Sequence, residues 1–167
     1  MTEKPTCDYS AELIKNGVIA FVPSGNSMWP TLKNKGQSVI VKLKKGKLKP
    51  MDVALYRREN GVNVLHRVMR ATDFGYVMCG DSQFTLESVK EENVYGVMVG
   101  FYKGKRYVEA TDPDYIEQVN RWFGNEHHRK FRVKFFFFLN RVKALPKRAL
   151  RKIFGKKKSG IGEETDD

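Results

Sequence analysis

Short runs of β-branched and aromatic residues, broken by turn formers, dominate the chain from residue 18 to residue 110. They fall at 18–22, 38–43, 52–57, 62–70, 76–79, 93–102 and 105–110, and their length and composition predict strands. Asn60-Gly61 and Lys103-Gly104 each lie between two such runs, which is the signature of a hairpin. Within 62–70, alternation with period two sets Val62, Val64, His66 and Val68 on one face, so the imidazole points with an apolar set. A helical pattern at 10–16 is closed by Gly17, which tolerates the left-handed conformation of a helix end. Beyond Asp112-Pro113 the period becomes helical again, at 114–123, 130–144 and 147–154, with Pro146 separating the last two.

The expected organisation is therefore a short N-terminal segment (1–16), a mainly β domain (17–112), a helical extension (113–158) and a polar end (159–167). At 167 residues with 41% apolar side chains, the chain has enough material for one core. The formal charge of +12 is unevenly placed. Residues 1–120 carry 17 Lys and Arg against 14 Asp and Glu, residues 121–158 carry 14 against 1, and the last nine carry none against 4. The basic character belongs to the extension.

Two cysteines, Cys7 and Cys79, stand far apart without metal-ligand spacing and read as reduced thiols. Adjacent histidines His127 and His128 lack ligand companions, so neither metal nor cofactor is expected. The first 16 residues lack the apolar run of roughly 7 to 15 residues found in a secretory signal, and no run approaches the roughly 20 of a spanning helix.

Candidate chemistry begins after the first strand, at Pro23-Ser24-Gly25-Asn26-Ser27-Met28-Trp29-Pro30-Thr31-Leu32. Read from residue types alone this is a loop, with small residues that let the backbone turn and a ligand approach. Further along stand Met51-Asp52-Val53-Ala54, Leu65-His66-Arg67-Val68, Cys79-Gly80-Asp81-Ser82 and Val94-Tyr95-Gly96-Val97.

In that order these stretches resemble the boxes of the signal-peptidase and repressor-protease superfamily of serine peptidases. Gly25, Ser27, Met28 and Pro30 match its Gly-x-Ser-Met-x-Pro nucleophile box, and His66-Arg67-Val68 matches the histidine type found in endoplasmic-reticulum and sporulation signal peptidases. The resemblance implies a coiled β fold and an acyl-enzyme formed on Ser27, with His66 as general base and the Ser27 N–H in the oxyanion hole. It also implies that Gly25, Met28 and Pro30 line the substrate site. Histidine suits the base, because its ordinary pKa of about 6.5 needs little tuning. Such a base needs a carboxylate that orients it. Asp81 in the Gly-Asp box and Glu87 six residues later both qualify, Asp81 first. The chain departs from the family at Met51, where glycine is usual, at Ser82-Gln83, where the pattern has Asn-Asn, and at Glu87, where an aspartate is usual.

In the extension, Phe131, Phe135, Phe138, Val142 and Leu145 share one helical face among many lysines and arginines. Three roles fit: packing on the β domain, lying on an anionic membrane through residues 121–158, and, less favoured, binding nucleic acid. The expected function is a serine endopeptidase acting on a peptide or protein precursor, cytoplasmic and peripheral at the inner face of a membrane. The alternative is a noncatalytic regulatory or binding module of the same fold whose basic tail holds a membrane or nucleic acid. A self-cleaving repressor is disfavoured, since about 16 residues before the β domain are too few for a helix-turn-helix unit.

Overall fold

The computed structural model describes residues 8–33 and 36–144. It divides between Gly124 and Asn125 into two compact units. The first opens with α1 (Tyr9–Asn16), whose N-cap Asp8 accepts from the amides of Ser10 and Ala11. Gly17 ends it at φ +72, a left-handed value that glycine adopts without steric cost.

Eight strands follow: β1 (Val18–Phe21), β2 (Val39–Leu43), β3 (Val53–Arg57), β4 (Asn63–Thr72), β5 (Gly75–Cys79), β6 (Glu87–Lys90), β7 (Val94–Lys103) and β8 (Arg106–Glu109). They form one antiparallel sheet in the order β1-β2-β7-β3-β4-β5-β6, with β8 on β7. Both hairpins expected at Asn60-Gly61 and Lys103-Gly104 are present, joining β3 to β4 and β7 to β8. The expected mainly β architecture with helices at the ends is what forms.

Bulges at Ile40/Val41, Leu55/Tyr56 and Val68/Arg70 interrupt the ladders, and such bulges bend and twist a sheet. Apolar side chains are buried on both faces. Val53, Leu55 and Leu65 join Leu13, Val39, Val41, Met98 and Phe101 in one cluster. Ala54, Tyr56 and Val68 join Tyr76, Met78 and Val94 in the other. Successive residues of β3 thus alternate between two cores, which is why 53–56 reads as an unbroken apolar run rather than an alternating one.

In the first unit the sheet edge and the domain boundary differ from expectation. β6 was not expected, because Glu-Ser-Val-Lys is short and polar and buries only Val89; it forms at the sheet edge by pairing with β5. Ending the β domain at 112 also leaves out α2 (Pro113–Phe123), which belongs to the first compact unit. Its Tyr115 and Val119 enter the first cluster, and Trp122 Nε1 donates to the Asp81 carbonyl at 2.9 Å.

The second unit contains α3 (Glu126–Lys143), capped by the Asn125 side chain on the His128 amide and beginning four residues before the expected start. The helix expected at 147–154 and Cys7 lie outside the described residues. Among the described residues, no helix is long and apolar enough to cross a membrane. The buried Cys79 thiol donates to the carbonyls of Gly80 and Gln83.

Candidate active site

Between β1 and β2 the chain makes the tight loop that carries Ser27. Gly25 takes φ +88, and the Trp29 amide donates to the Asn26 carbonyl at 3.0 Å to close a turn around Ser27 and Met28. The following turn anchors inward, since Met28 and Leu32 are buried in the first core. Ser27 is left half-buried at the rim.

A second loop clasps the first. After β5, the Ser82 amide donates to the Ser27 carbonyl at 2.9 Å, and the Ser82 hydroxyl bridges the carbonyls of Asn26 and Ser27 at 2.7 and 3.1 Å. Gly80 permits this approach, because a Cβ there would stand 2.8 Å from the Ser27 carbonyl oxygen and 2.8 Å from Gln83 Oε1.

Asp81, the central residue of that loop, is fully buried and does not face the histidine. Arg67 grips it with two hydrogen bonds, Nε to Oδ1 at 2.8 Å and Nη2 to Oδ2 at 2.7 Å, and the Thr31 hydroxyl donates to Oδ2. Arg67 also donates to the Met51 carbonyl at 2.7 Å and lies over the Phe123 ring. A buried ion pair in which each nitrogen and oxygen has a partner ties β4, the 80–82 turn and the loop after Ser27 into one unit. Met51 holds a left-handed φ of +77 while offering its carbonyl to Arg67.

His66 sits on β4 opposite Ala54 and is almost wholly buried. Tyr56, two residues along β3 on the same face, is its diagonal neighbour. Their hydrogen bond, Tyr56 Oη to His66 Nδ1, measures 3.1 Å. The same phenol donates to Glu87 Oε2 at 2.8 Å, and Arg58 holds Glu87 with two bonds of 2.7 Å each. Glu87 Oε2 stands 4.0 Å from His66 Nδ1, so Glu87 is the carboxylate beside the histidine and Tyr56 bridges the gap.

Electrostatics sets the protonation along this chain. The hydrogen bond from Arg58, then that from Tyr56, holds Glu87 below the ordinary carboxylate range, so it accepts only. Burial, reinforced by the hydrogen bond to Glu87, pushes the Tyr56 phenol up, so its single proton stays and points to Glu87. The Tyr56 oxygen then accepts from His66 Nδ1–H, which leaves the lone pair on Nε2. Burial, and then the Arg58 charge, lowers the imidazole pKa from 6.5, with Glu87 and Asp81 opposing. The neutral, Nε2-basic ring is the form a general base requires.

Ser27 and His66 line a common cavity of about 320 Å³ together with Gly25, Met28, Phe21, Leu55 and Leu65. Pro30 is half-buried outside that lining. Among the described residues, Ser27 Oγ and His66 Nε2 make no hydrogen bond, to each other or elsewhere.

Sequence reasoning missed Tyr56, Arg58 and Arg67. Tyr56 was within reach of the sequence: the Asn60-Gly61 hairpin sets the β3–β4 register, and that register makes Tyr56 the diagonal partner of His66. Arg67 stands beside His66 in the same box, and only the fold shows that its side chain goes to Asp81. Comparison of the chain with models of known families, with curated proteins and with solved structures gave no match in any of the three.

Proposed function

We propose that the protein is a serine endopeptidase of the signal-peptidase and repressor-protease kind, with Ser27 as nucleophile, His66 as general base and Glu87 acting on His66 through Tyr56. The observation that carries this reading is the chain Arg58–Glu87–Tyr56–His66, which holds the imidazole in the tautomer with a free Nε2 at a cavity that Ser27 also lines. The ordered resemblance of the Ser27, His66 and Asp81 boxes supports the same assignment.

Nε2 takes the Ser27 hydroxyl proton as Oγ bonds to the scissile carbonyl carbon. The Ser27 N–H stabilises the oxyanion, and Nε2–H then protonates the departing amine nitrogen. Water, deprotonated by the same nitrogen, displaces Ser27 from the acyl group and restores its hydroxyl. As positive charge develops on the ring, Tyr56 passes the field of Glu87 to Nδ1. Asp81 holds the Ser27 loop in place rather than orienting the base. The apolar side of the cavity, with Phe21, Met28, Leu55 and Leu65, suits an uncharged stretch of a peptide or protein precursor. Reaction requires the Ser27 side chain to close on Nε2, and catalytic hydrogen bonds often tighten only when substrate is bound.

A noncatalytic module is the second reading, and the lack of a Ser27–His66 hydrogen bond is the observation that favours it. Labelling of the full chain with a fluorophosphonate serine probe separates the two. The expected result is one modified residue, Ser27, with labelling lost in Ser27→Ala and in His66→Ala. Labelling that persists in Ser27→Ala, or its absence from the native chain, refutes the peptidase assignment.

A further inference from the structure

The aromatic stripe of α3 is exposed: Phe131 at 67%, Phe135 at 50%, Phe138 at 60% and Leu139 at 37%. At 100° per residue these four and Val142 fall within an arc of about 100° on the helix. Exposed cations border the arc on both sides, Lys130, Lys134 and Arg141 along one edge and Arg132 and Lys143 along the other. A contiguous apolar surface of this kind marks a site of association.

The charge pattern selects the occupant. A second copy of α3 would bring two cationic borders together, and residues 126–143 hold a single carboxylate, Glu126, which pairs with Lys130 in its own helix. Nucleic acid would satisfy the cations and stack on phenylalanine, but Leu139 and Val142 in the same stripe offer a base no ring to stack on. Acyl chains accept aromatic and aliphatic side chains alike, while anionic headgroups meet cations on either border. The sequence beyond α3 adds Lys147, Arg148, Arg151 and Lys152.

We propose that α3 lies in the interface of an anionic lipid bilayer, its Phe131, Phe135 and Phe138 stripe among the acyl chains and its bordering lysines and arginines at the headgroups. The inference stands on α3 alone and is independent of the peptidase reading.

The test is cosedimentation of the full chain with phosphatidylcholine vesicles, with and without phosphatidylglycerol. Binding is expected only where phosphatidylglycerol is present. The combined variant Phe131→Ser, Phe135→Ser, Phe138→Ser should lose it, with circular dichroism and the thermal midpoint unchanged. Lys134→Gln with Arg141→Gln should weaken it about 25-fold, about fivefold for each charge near the surface. Ser27→Ala should bind as the native chain does. Undiminished binding by the combined phenylalanine variant would overturn the proposal, leaving charge alone as the attraction. So would a chain that ignores the vesicles but shifts an oligonucleotide, or one that dimerises through the same phenylalanines without binding lipid.

Discussion

Tyr56 Oη lies 3.1 Å from His66 Nδ1 while giving its own proton to Glu87 Oε2 at 2.8 Å. The phenol has only one proton, so the histidine must supply the other hydrogen bond, and the tautomer follows from that count. In Tyr56→Phe the buried Nδ1–H loses its acceptor, which costs about 1–3 kcal/mol and removes the preference for a free Nε2. The rate of serine-probe labelling should fall about 10- to 100-fold in Tyr56→Phe, with the fold retained in circular dichroism. Labelling at the native rate would mean that Tyr56 is a bystander.

The two candidate carboxylates should separate by phenotype. Asp81 is fully buried against Arg67, and removing one partner of a buried ion pair costs about 3–5 kcal/mol because the other charge is stranded. Asp81→Ala should therefore lower the urea midpoint sharply. Glu87 is partly exposed, and Glu87→Gln keeps a hydrogen-bond acceptor for Tyr56. It should leave the midpoint close to native while slowing labelling at Ser27. Equal destabilisation by both substitutions would contradict the division of roles.

Much of this arrangement was legible in the sequence because it depends on local pattern. Strand length, turn chemistry and the order of boxes singled out Ser27, His66 and both carboxylates as candidates. What they could not resolve was which carboxylate meets which cation. His66 and Arg67 are consecutive, so their side chains leave β4 on opposite faces and meet different partners. Glu87 reaches Tyr56 only because 87–90 pairs with β5 as an edge strand, and that pairing comes from tertiary packing around Val89 rather than from the propensity of Glu-Ser-Val-Lys. The Trp122 bond to the Asp81 carbonyl spans 41 residues and leaves no periodic trace.

The lowered pKa of His66 has a definite sign in both activity and stability. The ring stays neutral below its ordinary 6.5, so the acid limb of the labelling rate should lie below pH 6.5. Glu87→Gln removes the charge that raises the imidazole pKa and keeps Arg58, which lowers it, so the limb should move further to acid. For folding, the unfolded chain takes up the histidine proton near 6.5 and the native chain only at lower pH. Between those two values the unfolded state binds more protons, and stability falls as pH falls. His66→Gln should remove that part of the decline. The contribution of Glu87 is lost separately, below its ordinary 4.5. Denaturant titrations across this range would show it, and an acid limb above pH 6.5 would contradict the burial argument.

Gly80 gives the sharpest test of how the Ser27 loop is held. An added methyl would stand 2.8 Å from the Ser27 carbonyl oxygen, closer than real Cβ contacts allow, and 2.8 Å from Gln83 Oε1, the end of a flexible chain that can move aside. The backbone contact cannot be relieved so easily, because the amide and hydroxyl of Ser82 pull the same carbonyl toward the turn. Gly80→Ala must therefore push the Ser27 loop away from the turn or break the Ser82 bonds, at a cost of about 1–3 kcal/mol for overpacking. Either movement displaces Ser27 relative to His66, and a misplacement of about 1 Å can cost 100-fold in rate. The expected outcome is a folded protein, modestly less stable, that labels at Ser27 far more slowly, whereas Gln83→Ala alone labels normally. If Gly80→Ala labels as fast as the native chain, the 80–82 turn does not position the serine.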